Sequence, residues 1–447
     1  MRPLVGFAYY ALHPQQYAAL AQKFLQTTPE CRSAAVVGIR SIGAPLSAVV
    51  VAALRSHGIA AERITVRPWG HPFDRELRTN RDEQAWMEAH GAAGAHFLIV
   101  DEGPGRSGSS FLSTAEAAVR CGIEPRRIAL FCSHEPRTDN LIAPDAANRW
   151  HEFRCSFPAC DSSPLPQRRG HELSAGAWRS VFYADSSQWP GVWPATERVK
   201  FLADDEKSVF KFEGLGRYGD RVLQRSAQLA EGGWGPGCGR AAAGFVRYAR
   251  IHGRPANGEL SRNTLIRIAE YCAWRSRKFA ASAADHAELE RMANYNLHTL
   301  GGWSAPAGEL RLACVRPVLA DGHMMPWEWV RTSSGLLIKS DGAAHGDDHF
   351  YPGAVDIAWD LAGAIVEWNM PRGAARELLD RYGSASGDDA EPRMPTYVAA
   401  YLSFRIAFLT MASESCDHAE RARLQRSLEH YRVTLAQVMA HPLAQSA

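Results

Sequence analysis

Short apolar segments alternate with Ala-rich segments of helical periodicity through the first third of the chain. Apolar and β-branched runs predict strands over residues 33–39, 61–67, 96–100 and 127–132. The segments between them predict helices over residues 45–58, 82–90 and 113–121. This alternation is typical of parallel strands joined by crossover helices. The predicted fold class is therefore α/β, with an N-terminal doubly wound parallel sheet.

The pattern changes after residue 155. Residues 156–175 are rich in Pro, Ser and charged residues and predict a linker. Strand-like segments follow at residues 178–184, 197–203 and 208–215, and mostly helical segments come after them. Strands grouped before helices indicate an α+β domain. The expected organisation is a first domain over 1–155, a linker over 156–175 and a second domain over 176–447.

Length and composition narrow the classes of protein. A chain of 447 residues is too long for one ordinary hydrophobic core, so more than one domain is expected. A net charge of +2 is too small to indicate a nucleic-acid-binding protein. No apolar run approaches the roughly 20 residues that span a bilayer. Nine scattered cysteines suit reduced thiols in a cytoplasm. We therefore expect a cytoplasmic protein that binds small-molecule substrates, without nucleic acid or membrane partners, and whose oligomeric state is open.

Two acids and a hydroxyl-rich glycine loop follow the third predicted strand. Asp101 and Glu102 can accept hydrogen bonds from the vicinal hydroxyls of a ribose. Backbone amides of a Gly loop at a helix N-terminus suit a phosphate, and serine hydroxyls add donors. Sugar and phosphate sites on one loop together predict a ribose 5-phosphate ligand.

The segment LIVDEGPGRSGSS resembles the phosphoribosyl pyrophosphate signature of type I phosphoribosyltransferases, although GPGR departs from the usual apolar middle. The resemblance covers about residues 30–135. It implies phosphoribosyl pyrophosphate as co-substrate, Mg²⁺ bridging the pyrophosphate and ribose hydroxyls, and Asp101 and Glu102 as catalytic residues. The implied binders of the 5-phosphate are Ser107, Gly108, Ser109 and Ser110.

Two further segments agree with that family. The turn after the first strand would hold pyrophosphate through Arg40, Ser41 and Gly43. The segment Arg67–Arg78 takes the place of a mobile loop that closes over the pyrophosphate, and Arg67 and Arg75 would supply cations to the leaving group. These positions imply a binding site for phosphoribosyl pyrophosphate in the first domain, whereas the family's variable hood, which recognises the acceptor, has no counterpart that can be aligned.

Two other interpretations of the acidic loop remain. The acids and glycines could form only a helix cap and a turn. Gly103, Gly105 and Gly108 also partly match a dinucleotide-binding fingerprint. That fingerprint, however, opens on the first strand and places its acid about 20 residues after the glycines, whereas here the acids precede them. The order favours the phosphoribosyl interpretation.

The second domain resembles the kinase-like fold of aminoglycoside and small-molecule phosphotransferases. Phosphoryl transfer needs a lysine on the phosphates, an acid that orients the hydroxyl, and carboxylates for Mg²⁺. The resemblance implies ATP or another nucleoside triphosphate, with Lys211 as nucleotide-binding residue, Asp321 as catalytic-loop acid, and Glu328 and Asp341 as metal ligands. It also implies that the DIAWD helix, with Asp356 and Asp360, supports the catalytic loop. We expect Asp321 and Asp341 to face one cavity, with Glu328 beside them and Lys211 opposite.

Several departures from the family pattern leave open that this kinase-like domain is catalytically degenerate. Leu319-Ala320-Asp321 replaces the usual His-Gly-Asp, no Gly-rich nucleotide loop is evident, and Gln224 stands where an acidic partner of Lys211 is usual. Lys211 could also be a surface lysine. The segment HGDDHF, residues 345–350, either binds metal or forms a hydrated loop.

The sequence thus predicts a bifunctional transferase, with phosphoribosyl transfer to an unknown small acceptor and nucleotide-dependent phosphorylation of a small molecule. The alternative is a regulatory protein that binds phosphoribosyl pyrophosphate and carries a catalytically degenerate kinase-like domain.

Overall fold

The computed structural model describes residues 5–71, 73–158, 170–282, 286–301, 309–345 and 353–440. The chain divides into two compact units, and the division falls between residues 159 and 169. That point lies inside the segment 156–175, for which the sequence predicts a linker.

The first unit contains the predicted strands and helices, and it also contains a short hairpin. Its strands are β1 (Ser33–Ile39), β2 (Ala60–Val66), β3 (Trp69–His71), β4 (Asp74–Glu76), β5 (His96–Val100), β6 (Ile128–Phe131) and β7 (Arg154–Ser156). Its helices are α1 (Val5–Ala8), α2 (Pro14–Thr27), α3 (Gly43–Ser56), α4 (Arg81–Ala92), α5 (Ser109–Arg120) and α6 (Ala146–His151).

The parallel sheet has the strand order β2-β1-β5-β6-β7. Val36 of β1 packs with α2 and α3 on one face of the sheet, whereas its neighbour Val37 packs with α4 and α5 on the other. Successive side chains of a strand point to opposite faces, so helices that cover both faces require the continuous apolar strands seen in the sequence. The predicted parallel sheet is confirmed, and it has helices on both faces.

Two details of this unit differ from the prediction. Helix α5 begins at Ser109, four residues before the predicted start, because Gly108 (φ 70°) makes the turn and polar serines occupy the first helical turn. Part of the segment predicted as a loop, Arg67–Arg78, instead forms the antiparallel pair β3 and β4, in which Gly70 lies opposite Arg75.

The second unit begins with an antiparallel sheet and continues with helices. Its strands are β8 (Gly170–Glu172), β9 (Lys200–Ala203), β10 (Ser208–Phe212), β11 (Cys238–Arg240), β12 (Phe245–Ala249), β13 (Arg254–Pro255), β14 (Pro317–Val318), β15 (Trp329–Arg331), β16 (Leu337–Lys339) and β17 (Val355–Asp356). Its helices are α7 (Trp178–Phe182), α8 (Arg217–Glu231), α9 (Arg262–Lys278), α10 (His286–Gly301), α11 (Ala358–Glu367), α12 (Arg372–Ser386), α13 (Met394–Ser415) and α14 (His418–Ala440).

The five-stranded antiparallel sheet has the order β11-β12-β10-β9-β8. Residues 178–184, predicted as a strand, contain the helix α7 instead, so that prediction is wrong. The reason is tertiary, because the buried Arg179 forms two hydrogen bonds with Glu420 (2.9 and 2.8 Å) and the Trp178 indole donates to Glu197 (2.9 Å). Aromatic and β-branched residues favour a strand locally, but these contacts fix a single helical turn.

Within the described parts of the chain, no helix combines the length and the apolar character needed to cross a membrane. Helix α13 has 22 residues and is mostly buried, but it carries Arg405, which pairs with Glu367 at 3.3 Å. Its apolar character therefore serves the core of this unit.

Candidate active sites

The first candidate site lies at the carboxyl ends of β1 and β5, which are neighbours in the parallel sheet. Asp101 and Glu102 follow β5, and Gly43 begins α3 after β1. The Gly43 amide donates to Asp101 Oδ1 at 3.1 Å. A Cβ atom at Gly43 would lie 2.2 Å from the carbonyl oxygen of Val100, so this close approach requires glycine. The two segments meet where open α/β sheets bind ligands.

The acid pair is half-buried and has no ion-pair partner among the described residues. Burial raises the pKa of Asp101 to about 7, and burial together with Asp101 raises the pKa of Glu102 to about 7. Arg75 lowers the pKa of Asp101 slightly, but no Lys, Arg or His of the described residues forms an ion pair with either acid. Two carboxylates held in this way gain stability from a ligand that donates hydrogen bonds.

The loop after the acids brings the predicted phosphate-binding residues to the start of α5. Ser107 Oγ lies 2.9 Å from Ser109 Oγ and 3.3 Å from the Ser109 amide. Gly108 precedes the helix, and Ser109 and Ser110 are its first two residues. The serine hydroxyls therefore lie beside a helix N-terminus, where backbone amides favour an anion.

The predicted pyrophosphate-binding residues are more dispersed. The Arg40 guanidinium donates to Thr65 Oγ1 (3.0 Å) and to the Thr65 carbonyl (2.9 Å), so it is anchored to the end of β2. The Arg40–Ser41 peptide bond is cis, and Ser41 is exposed. Arg67 lies over the Trp69 ring at 6.0 Å and, like Arg75, is exposed. In the described parts of the chain, none of these three arginines forms an ion pair with Asp101 or Glu102.

The second candidate site is a cavity of about 280 Å³ in the second unit. Lys211 of β10 lines it and is only 8% exposed, so it is not a surface lysine. Its ammonium group contacts Asp341 Oδ2 and lies 3.4 Å from Glu213 Oε1, which accepts a hydrogen bond from the Tyr248 hydroxyl at 2.8 Å. Lys211 thus has two acidic partners, although Gln224 stands at the usual position.

The hairpin of β15 and β16 returns the chain so that Glu328 and Asp341 line the same cavity as Lys211. Asp321 is different, because it is fully buried and, among the described residues, is not part of the cavity lining. The expectation that Asp321 faces this cavity is therefore wrong. The physical reason is that buried donors surround its carboxylate: the Tyr271 hydroxyl at 2.5 Å, His345 Nδ1 at 3.2 Å and Lys339 Nζ at 3.4 Å.

The DIAWD helix supports the loop of Asp321. The Asp360 carboxylate accepts hydrogen bonds from the Asp321 and Gly322 amides, both at 2.9 Å. Asp356 accepts from the Val315 and Arg316 amides at 2.6 and 2.7 Å. Two adjacent turns of the chain are therefore fixed from one helix start.

Charge compensation sets the protonation of this cluster. Burial alone would raise the pKa of Glu328, but Lys339 and His345 outweigh it and lower that pKa. Burial is likewise outweighed at Asp341 by Lys211 and His345, which hold its pKa well below the usual range. Asp341 and Glu328 in turn raise the pKa of His345 to about 9 against the opposing effect of burial.

Sequence reasoning missed Glu213 and Lys339. Glu213 follows Lys211 by two residues, and Lys339 precedes Asp341 by two. Because side chains two apart in extended chain share a face, this spacing was a usable signal. The Tyr271 and Arg275 contacts to the Asp321 loop carried no comparable signal, since they span 50 and 44 residues of sequence.

Two histidines join the carboxylates. Ligand atoms of His323, Glu328 and His345 all lie within 4.8 Å of one another, and the two imidazole rings stack with centroids 4.2 Å apart. Glu328 and Asp341 offer the oxygen ligands that Mg²⁺ prefers, so the carboxylates fit the implied ion. Of the segment 345–350, only His345 is among the described residues; Asp347, Asp348 and His349 lie outside them.

No protein-family model matches the chain, and no curated protein matches it. Solved structures of choline and ethanolamine kinases are similar over about half of it. A choline/ethanolamine kinase family protein from Mesorhizobium loti is 16% identical over 54% of this chain and 90% of its own, with a TM-score of 0.34. The choline kinase LicA from Streptococcus pneumoniae is 13% identical over 54% and 89%, with a TM-score of 0.33.

An ethanolamine kinase from Plasmodium vivax is 11% identical over 56% of this chain and 81% of its own, with a TM-score of 0.30. Similarity at this level identifies neither a family nor an activity for the chain.

Proposed function

We propose that the first unit binds phosphoribosyl pyrophosphate and transfers its phosphoribosyl group to a small-molecule acceptor. The observation that carries this proposal is the half-buried pair Asp101 and Glu102, which forms no ion pair with the described residues and lies next to a serine-rich helix start. A ribose diol would donate to the carboxylates, and a 5-phosphate would accept from the amides and hydroxyls of the loop.

The reaction breaks the bond between ribose C1 and the pyrophosphate oxygen and forms a bond from C1 to the acceptor. Asp101 and Glu102 hold the sugar while positive charge develops at C1. Ser107, Gly108, Ser109 and Ser110 bind the 5-phosphate. Arg40, Ser41, Gly43, Arg67 and Arg75 bind the departing pyrophosphate, and Mg²⁺ would supply further charge neutralisation there.

For the second unit we propose phosphoryl transfer from ATP or another nucleoside triphosphate to a small molecule. Lys211 binds phosphate oxygens, and Glu328 and Asp341 hold Mg²⁺, which would neutralise charge on the transferred group. The support is that all three line one cavity. Asp321 does not line this cavity, and it would act on the site only through His345, which it contacts at 3.2 Å and which lies 3.4 Å from Asp341 Oδ2.

A specific observation favours a second candidate, a regulatory protein with a degenerate kinase-like unit. Lys339 Nζ lies 2.5 Å from Glu328 Oε2 and 3.4 Å from Asp321 Oδ1, so an internal cation already neutralises two of the three acids. In this candidate the cavity binds a nucleotide without turnover, and the first unit senses phosphoribosyl pyrophosphate. Both candidates place small-molecule ligands, rather than nucleic acid or membrane, at the two sites, and both are compatible with a cytoplasmic protein.

Two assays on the full chain separate the candidates. Calorimetry measures binding of phosphoribosyl pyrophosphate, and a coupled assay measures pyrophosphate release across a panel of nucleobases and other nitrogenous acceptors. We expect binding and acceptor-dependent release. Binding without release on any acceptor would support the regulatory candidate, and absence of binding would refute the proposal for the first unit. ATP consumption with a panel of amino alcohols and sugars tests the second unit in the same way.

A further inference from the structure

We propose that His323, Glu328 and His345 bind a first-row transition-metal dication, such as Zn²⁺, Co²⁺ or Mn²⁺, in preference to Mg²⁺. The inference rests on the proposed function only in placing a metal at the carboxylates of the phosphotransfer cavity. The proposed metal site differs from the Mg²⁺ site in its ligands, because two imidazoles bind the ion together with Glu328.

The spacing of the ligand atoms suits such an ion. His323 Nδ1 lies 3.4 Å from Glu328 Oε1, and His345 Nε2 lies 3.4 Å from Asp341 Oδ2. Two ligand atoms that each lie ~2.1 Å from a tetrahedral metal are separated by roughly 3.4 Å. With all three proposed ligands already within 4.8 Å of one another, small side-chain rotations bring them to one ion. Asp341 Oδ2 lies beside His345, but it is already paired with Lys211 Nζ.

The neighbouring residues hold the ligands in orientation. Lys339 Nζ donates to Glu328 Oε2 (2.5 Å) and to the His323 carbonyl (2.6 Å), which leaves Glu328 Oε1 directed toward the His323 ring. Asp321 Oδ1 lies 3.2 Å from His345 Nδ1, and this contact directs Nε2 toward Asp341. A carboxylate that orients a metal-binding imidazole in this way is a common arrangement.

This arrangement also accounts for the burial of Asp321. A base that takes a proton from a substrate hydroxyl must touch the substrate, whereas Asp321 is fully buried and bonded to Tyr271 and His345. As a positioning residue for His345, it acts from behind the cavity wall. Two stacked imidazoles serve no purpose for Mg²⁺, which takes oxygen ligands, whereas imidazole nitrogen suits Zn²⁺, Co²⁺ and Mn²⁺.

The test is titration of Co²⁺ into metal-free, full-length protein without nucleotide, followed by visible absorption. We expect one Co²⁺ per chain with a spectrum of nitrogen and oxygen ligation. A hundredfold excess of Mg²⁺ should displace less than half of it. The variants His323→Gln and His345→Gln should each weaken Co²⁺ binding at least tenfold. His298→Gln, which changes an exposed histidine of α10, should leave the affinity unchanged.

Thermal unfolding of each variant establishes that it folds, and His323→Gln carries the test if His345→Gln does not fold. Unchanged Co²⁺ affinity in the folded variants, displacement by equimolar Mg²⁺, or a thiolate charge-transfer band would overturn the proposal. Because nucleotide is absent from the titration, a lack of phosphotransfer activity bears only on the proposed function, and a lack of Co²⁺ binding bears only on the metal.

Discussion

The carboxylates of the two acidic sites are all half-buried, but only one of the sites has lysine partners for its acids. Asp101 and Glu102 have no ion-pair partner among the described residues, and the pKa of each is raised to about 7. Glu328 and Asp341 contact Lys339 and Lys211 respectively, and their pKa values are lowered. Burial acts in the same direction on all four carboxylates, so the cations account for the difference.

That difference bears on how each site can bind a ligand. An uncompensated buried carboxylate costs stability, and a ligand that donates hydrogen bonds recovers part of that cost. A compensated carboxylate carries a smaller desolvation penalty, and a ligand must compete with the lysine that already contacts it. The first site is therefore prepared for a polyhydroxy ligand, and the second is organised around its own cations.

Neutralising the first acid pair should have the largest effect. Hydrogen bonds to charged groups contribute about 1.5–3 kcal/mol each, so the variant Asp101→Asn with Glu102→Gln should lose roughly 10²–10⁴-fold in affinity for phosphoribosyl pyrophosphate. Calorimetry measures this loss. The matched control, Asp82→Asn with Glu88→Gln on exposed positions of α4, should bind like the wild type. Equal affinity in both double variants would remove the site assignment.

Removing a cation from the second site should instead affect stability. Lys339→Met leaves Glu328 and Asp321 buried without their ammonium partner, and breaking such a pair costs about 3–5 kcal/mol. Urea unfolding of the full chain should show this loss in the transition of the second unit. Lys278→Met, at an exposed position of α9, should change stability by less than about 0.5 kcal/mol. A similarly small change in stability for Lys339→Met would contradict the conclusion that Lys339 neutralises the acids of this site.

The pH dependence of stability should distinguish the first unit. The folded-state pKa values of Asp101 and Glu102 lie above those of the unfolded chain, so folding favours their protonated forms. Their contribution is fully present below about pH 4 and is lost as the pH rises through about 7. We expect hydrogen exchange in β5 of the ligand-free protein to be faster at pH 8.5 than at pH 5.5 after correction for intrinsic rates. The difference should correspond to about 2 kcal/mol for each of the two acids.

The double variant Asp101→Asn with Glu102→Gln supplies the control for this pH effect. Its corrected exchange in β5 should be nearly independent of pH over the same range. A pH dependence that persists in the double variant would assign the effect to other groups.

The smallest expected effect concerns the phosphate loop. Ser107→Ala removes one hydroxyl from the start of α5 and should weaken binding of phosphoribosyl pyrophosphate by about 1 kcal/mol, which is roughly fivefold. Ser56→Ala, at an exposed position of α3, is the control and should have no effect. If Ser107→Ala weakens the binding of ribose 5-phosphate by the same factor as that of phosphoribosyl pyrophosphate, the hydroxyl acts on the 5-phosphate. Unchanged affinity for both ligands would exclude a role of this hydroxyl in binding.

Periodicity predicted β1, β2, β5 and β6 because β1, β5 and β6 are almost wholly apolar and helical segments separate the successive strands. It did not predict β7, whose three residues Arg154–Ser156 carry no apolar pattern. It failed at residues 178–184, where the ion pair of Arg179 with Glu420 fixes a helical turn. That contact joins residues 241 positions apart, and no local pattern contains it.

The candidate sites also depend on contacts between residues that are distant in sequence. Lys211, Glu328 and Asp341 were selected from the resemblance to small-molecule phosphotransferases, and the structure brings them to one cavity. Asp321 was selected from the same resemblance, but its side chain lies behind the cavity wall because Tyr271 and Lys339 bind it there. The order of the segments predicted which of them meet, whereas the direction of each side chain depended on partners from other elements.

Proton release on ligand binding tests the central contrast most directly. Phosphoribosyl pyrophosphate with Mg²⁺ is titrated into the full chain at pH 7 in two buffers of different ionisation enthalpy. Carboxylates with a pKa of about 7 are partly protonated at this pH, and their ionised forms accept hydrogen bonds from the ribose hydroxyls. At ligand concentrations that saturate both proteins, binding should therefore release about one proton more in the wild type than in the double variant Asp101→Asn with Glu102→Gln. Binding by the wild type without this extra proton release, or no binding at all, would contradict the account.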